Sequence, residues 1–68
     1  MTPARKKALE WFHDRGEASN REVTDYGPRK PMLSRMFKDG QIHTYTLNGV
    51  YHIALTDAGR RALNGDSK

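Results

Sequence analysis

The sequence predicts a mainly α-helical domain: a three-helix core, a small β-hairpin and a short C-terminal helix. Three observations carry this. Apolar residues recur at helical spacing from Ala4 to Phe37. Asn48-Gly49 then stands between two runs rich in β-branched and aromatic residues, QIHTYTL and VYHIALT, the strongest short hairpin signal a sequence offers. A two-stranded hairpin is marginal by itself, so it must be attached to the helices that precede it. At 68 residues the chain has room for one domain, with an expected ordered core of about 3–63 and a tail at 64–68.

The elements follow in order. Thr2-Pro3 supplies an N-cap and a first helical position, and Ala4, Ala8, Leu9, Trp11 and Phe12 form the apolar stripe of a helix that stops at Gly16. Trp11 lies at the edge of that stripe, as core margin or as a dimer contact. Ser19 and Glu22 have the S-x-x-E spacing of a capping box, so a second helix starts at Asn20. Its inward residues are Val23 and Tyr26. It is short, because Gly27-Pro28 follows. RKPMLSRMFKD is the third helix, with Pro28 or Pro31 in its first turn and an end at Gly40. Leu33, Met36 and Phe37 share its inner face, and Ser34, Arg35 and Lys38 lie around the opposite side. A two-residue turn pairs Leu47 with Val50 and Tyr45 with His52. It puts Ile42, Thr44, Tyr51, Ile53 and Leu55 on the inward face and His43, Tyr45, Leu47 and His52 on the other. Thr56 caps a last helix, DAGRRAL.

Charge is segregated. Of 12 Lys/Arg and 8 Asp/Glu, residues 1–28 hold five of each and cancel. Residues 29–47 hold Arg29, Lys30, Arg35 and Lys38 against Asp39 alone, and residues 48–68 are nearly balanced. A local basic excess is the footprint of a polyanion-binding surface. The chain has no cysteine, which excludes a disulfide scaffold and thiolate zinc sites. It has no apolar run of membrane-span length, so the expectation is a soluble, cytoplasmic protein with no membrane partner.

The helix, helix, helix, hairpin, helix order resembles the winged helix-turn-helix family. The tail YHIALTDAGRRAL is similar to the Y-x-L-T-x-x-G-R-x-x-L ending of small bacterial and phage winged-helix regulators. MLSRMFKDGQI resembles a recognition helix running into the first wing strand. The resemblance covers about Ala4 to Leu63. It departs in helix 2, where REVTDYGPRKP lacks the family's Leu-Ala pair and second Leu. What the resemblance implies is a DNA-binding protein, a transcriptional regulator or phage-type accessory factor. Helix 3 would read the major groove and the wing would lie on the flanking backbone.

Within that frame Arg35 is the candidate base reader, because a guanidinium fork matches guanine O6 and N7. Ser34 and Lys38 flank it, and Arg29 and Lys30 suit phosphates. Tyr45, Asn48 and His52 are candidate wing contacts, although Tyr45 and His52 also make a favourable cross-strand pair. Arg21, at the start of helix 2, is a secondary phosphate contact. Arg60 and Arg61 suit either phosphate or the helix C-terminus. The expected partners are double-stranded DNA and a homodimer mate or second protein. The alternative is a winged-helix protein–protein interaction module. No Ser/His or metal-ligand spacing and no Gly-rich phosphate loop is present, so neither an enzyme nor a cofactor is expected.

Overall fold

The computed structural model describes residues 2–65. Among them are α1 (Pro3–Arg15), β1 (Glu17–Ser19), α2 (Asn20–Tyr26), α3 (Lys30–Lys38), β2 (Ile42–Leu47), β3 (Val50–Leu55) and α4 (Asp57–Gly65). The strands form one antiparallel sheet in the order β1-β3-β2. The protein is therefore mixed α/β, and its hairpin is part of a three-stranded sheet rather than a separate appendage.

The strand missing from the sequence reading is β1. Gly16 ends α1 with φ 75°, in the left-handed region that glycine enters without a Cβ penalty. The chain then returns along β3, with Glu17 opposite Ala54, Ala18 opposite Ile53 and Ser19 opposite His52. Ala18 is fully buried and its neighbours are not, an alternation too short to register as a pattern.

α1 begins as expected, with the Thr2 hydroxyl accepting from the Arg5 N–H at 3.2 Å. Ala8, Leu9 and Phe12 are buried, whereas Ala4 is exposed. Trp11 stands at the core margin, edge-on to Phe12 with centroids 5.0 Å apart and the Arg15 guanidinium 4.6 Å from its ring centre. Ser19 caps α2 by accepting from the Glu22 N–H at 3.3 Å. The reciprocal half of the capping box is replaced. Glu22 accepts from the Ser19 hydroxyl and from Arg15 at 2.6 Å, while Ser19 itself is the last residue of β1. Val23 is buried, but Tyr26 is 70% exposed, a correction to its inward placement. The space behind the end of α2 is already occupied by Trp11, which lies against Gly27.

α3 starts at Lys30, with Arg29 as N-cap and Pro31 in the first turn. Met36 is fully buried, and Met32 and Leu33 pack on the core beside it. Phe37, expected inside, is 40% exposed. At about 100° per residue the arc Met32–Leu33–Met36 centres near Met36, and Phe37 falls at its edge.

The hairpin register is the expected one, closed by Asn48 (φ 54°) and Gly49 (φ 79°), the positive pair of a type I′ turn. Ile42, Ile53 and Leu55 are buried. Thr44 and Tyr51 share their face but are exposed, Tyr51 by 65%. For Tyr51 the reason is that β1 reaches no farther than His52, so the hairpin beyond that row is two strands wide; Thr44 lies in the three-stranded row of Ala18 and Ile53, but on the edge strand β2.

α4 is anchored by its first turn. The Thr56 N–H donates to the Gln41 carbonyl at 3.0 Å and the Thr56 hydroxyl to that of Gly40. Thr56 Oγ1 also accepts from the Gly59 N–H at 3.1 Å. Gly59 is buried so closely that a Cβ there would lie 2.2 Å from the Gln41 oxygen. Ala62 and Leu63 then pack on the core. Asn64 and Gly65, expected in the tail, belong to this helix, and the remaining tail positions 66–68 lie outside the described residues. No helix among the described residues is long and apolar enough to cross a membrane.

Candidate nucleic-acid interface

α3 is held by its methionine face and turns its cations outward. With Met36 inward, Ser34 and Lys38 lie almost diametrically opposite it, Arg35 falls on one flank, and Lys30 and Phe37 fall on the other. Arg29, Lys30, Ser34, Arg35 and Lys38 are all exposed. The outward arc thus centres on Ser34 and Lys38, with Arg35 beside it.

The cations differ in their partners, and exposed Lys7 and Arg61, away from α3, have no carboxylate partner among the described residues. Arg5 donates to Asp39 at 2.8 Å and to Gln41 at 2.8 Å; Arg15 pairs with Glu22 at 2.6 Å. Arg21 lies 3.9 Å from Asp25, and Arg60 pairs with Asp57. Among the described residues, no carboxylate pairs with Arg29, Lys30, Arg35 or Lys38. Asp39, the one acid in the α3 segment, is drawn to Arg5 on α1. The local potential over α3 is therefore more positive than the composition of 29–47 implies. This contact was not legible in the sequence, because 34 positions separate its partners. Arg21 keeps high exposure, but its charge is partly answered within α2.

Two grooves flank α3. One, of about 400 Å³, lies against α1 and is lined by Ala4, Ala8, Trp11, Pro28 and Met32, with Lys7 and Arg29 at its rim. The other, of about 540 Å³, lies between α2, α3 and the sheet. Its apolar wall is Val23, Leu33, Phe37 and Ile53; Asn20, Thr24, Lys30 and Ser34 supply polar groups. Phe37 is a site residue that the sequence reading assigned to the core.

The wing candidates divide. Asn48 is at the hairpin turn. Tyr45 and His52 lie on the sheet face opposite the Thr44 and Ile53 row that borders the α3 groove. The sheet thus does not bring them together with the α3 cations. They form a ring ladder instead: His43 and Tyr45 stack with centroids 5.6 Å apart, Tyr45 and His52 at 5.7 Å. Nδ1 of His52 is 3.0 Å from the Val50 carbonyl oxygen. The Tyr45 hydroxyl donates to Glu17 of β1. That hydrogen bond, helped by partial desolvation and by the Glu17 charge, pushes the Tyr45 phenol from 10.0 up to about 12. From Gly40 to Gly59 the chain has no Lys or Arg, so the hairpin offers phosphate no permanently charged cation. Comparison with protein-family models, with curated proteins and with solved structures finds no significant match to this chain.

Proposed function

We propose that this protein binds double-stranded DNA as a winged helix-turn-helix module, acting as a transcriptional regulator or a phage-type accessory factor rather than as an enzyme. The observation that carries the reading is the uncompensated charge around α3: among the described residues Arg29, Lys30, Arg35 and Lys38 are exposed and lack carboxylate partners, while Arg5, Arg15, Arg21 and Arg60 each have one. Lys7 on α1 and Arg61 on α4 also lack one, so what distinguishes α3 is that four such cations fall within residues 29–38. Free cations on one helix are what counterion release from a phosphate backbone requires. The element order and the β1-β3-β2 sheet support the winged-helix assignment. α3 is the reading helix, with Ser34, Arg35 and Lys38 toward base edges and Arg29 and Lys30 on phosphates. The role of the wing is reduced to its Asn48 tip.

Fluorescence anisotropy with a labelled duplex tests this. Four neutralised phosphates correspond to a log–log salt slope of about −3 to −5. Binding that is flat between roughly 50 and 200 mM salt contradicts it. The second reading, a protein-interaction module, is favoured by the apolar groove beside half-exposed Phe37. A Phe37→Ser variant that keeps DNA affinity but loses a bound protein partner would separate the two.

A further inference from the structure

We propose that the protein forms a symmetric homodimer through the free edge of β2, joining two sheets into one. β2 is the edge strand of the sheet, and among the described residues no backbone hydrogen bond links its outer side to another element. It contains no Lys, Arg, Asp, Glu or Pro over Ile42–Leu47, so it lacks the charges and prolines by which edge strands are usually protected. His43, Thr44, Thr46 and Leu47 are exposed along it.

The backbone pattern selects the register. Leu47 and Val50 close the two-residue turn, so Leu47, Tyr45 and His43 direct their N–H and C=O groups toward β3. Ile42, Thr44 and Thr46 direct theirs to the free edge. Antiparallel self-pairing about a two-fold axis through Thr44 sets Thr44 opposite its own copy and Ile42 opposite Thr46. Every outward-facing backbone group of those residues then finds a partner. Opposite residues have the same parity, so both cores lie on one side of the joined sheet.

The side chains of this register name the occupant. On the outer face the ladder His52–Tyr45–His43 ends in a His43 ring at the β2 edge. In the Thr44-centred register His43 stands opposite the second copy's Tyr45, in a non-hydrogen-bonded pair where side chains approach most closely. The ladder thus continues across the axis into the same three residues reversed. No acidic or basic side chain of either β2 opposes another, which matters for a chain of net charge +4. An edge of this length buries less than the roughly 1,200 Å² of a stable interface. The expected association is therefore weak, at micromolar concentrations and above. This inference does not depend on DNA binding.

The test is sedimentation equilibrium of the full chain from about 5 to 500 μM, concentrations chosen to bracket weak association, with folding checked by circular dichroism. Wild type is expected to show a reversible monomer–dimer equilibrium. Thr44→Pro removes an outward N–H and is expected to stay folded as a monomer; Thr46→Lys, which places a charge at the edge, does the same without touching the backbone. Register is read by mild oxidation of Thr44→Cys. The chain has no other cysteine, and directly opposite Cα atoms about 5.5 Å apart fall within disulfide range. Thr44→Cys should cross-link at least tenfold faster than Ser34→Cys. A monomeric wild type throughout, a dimer that survives both edge variants, or equal cross-linking rates would each overturn the proposal.

Discussion

Gly59→Ala should destabilise the protein, although alanine is the better helix former. The added Cβ would lie 2.2 Å from the Gln41 oxygen, 2.9 Å from Leu55 Cδ2 and 3.1 Å from the Gln41 carbonyl carbon. A carbon–oxygen contact needs about 3.3 Å, so α4 must retreat by about 1 Å. The retreat is opposed by the bond from the Thr56 N–H to that same Gln41 oxygen and by the Thr56 hydroxyl on Gly40. Overpacking of a fixed backbone costs about 1–3 kcal/mol. Loss of the Thr56 bond adds about 0.5–1.5 kcal/mol, and the gain in helix propensity returns about 0.8–1.0 kcal/mol. The net is a loss of about 1–3 kcal/mol, against a total stability of order 3–10 kcal/mol for a chain this size. At about 4–8 °C per kcal/mol, the midpoint should fall by about 4–24 °C. Thermal melts followed by circular dichroism measure it. Gly65→Ala, where a Cβ meets nothing within 4 Å, is the control and should be nearly neutral. A Gly59→Ala midpoint equal to or above wild type would refute the close-approach reasoning.

Further predictions concern the sheet and α3. One phenol, Tyr45, should ionise near pH 12 in an ultraviolet titration, and Glu17→Gln should return it toward 10. Because its folded-state pKa is raised, the contact's contribution to stability is complete below about pH 10. It is lost as pH rises toward 12. Ionisation of Tyr45 near 10 in the folded protein would show the Glu17 contact to be absent in solution. On α3, Arg35→Ala should leave the melting curve within about 0.5 kcal/mol of wild type and cost about 1–3 kcal/mol of specific binding. Lys30→Ala should weaken matched and scrambled duplexes alike and flatten the salt slope by about one unit. Equal affinities of Arg35→Ala and wild type for both duplexes would remove α3 as the reading head.

What the sequence made legible was local. The Thr2 and Ser19 caps, the Gly16 stop and the Asn48-Gly49 turn each depend on residues a few positions apart, and each is where the pattern puts it. The hairpin register follows from the turn alone. What escaped was set by contacts far along the chain. β1 exists because Ala18 completes the core row at Ile53, 35 positions later. Phe37 is half-exposed because Met32 takes the inner arc, a choice between apolar residues that periodicity does not make. Tyr51 sits on the predicted face of a sheet that has narrowed before reaching it. For the site, the basic excess of 29–47 was visible in composition. The pairing that sharpens it, Arg5 with Asp39, required the packing of α1 beside the end of α3. Tyr45 and His52 were correctly seen as a cross-strand pair and as facing away from the core, and that placement separates them from the α3 cations.

On the proposed function, affinity for DNA depends on where the free cations stand and not on net charge alone. Two variants that remove the same charge from different surfaces test it most directly. Lys30→Gln with Lys38→Gln strips two cations from α3; Arg60→Gln with Arg61→Gln strips two exposed cations from α4, which lines neither groove beside α3. Both lower the net charge from +4 to +2. With each neutralised phosphate contributing about 0.9 to the slope, the α3 pair should flatten the log–log salt dependence by about two units and the other pair should leave it near wild type. Equal flattening in both variants, or none in either, would contradict α3 as the DNA-binding surface.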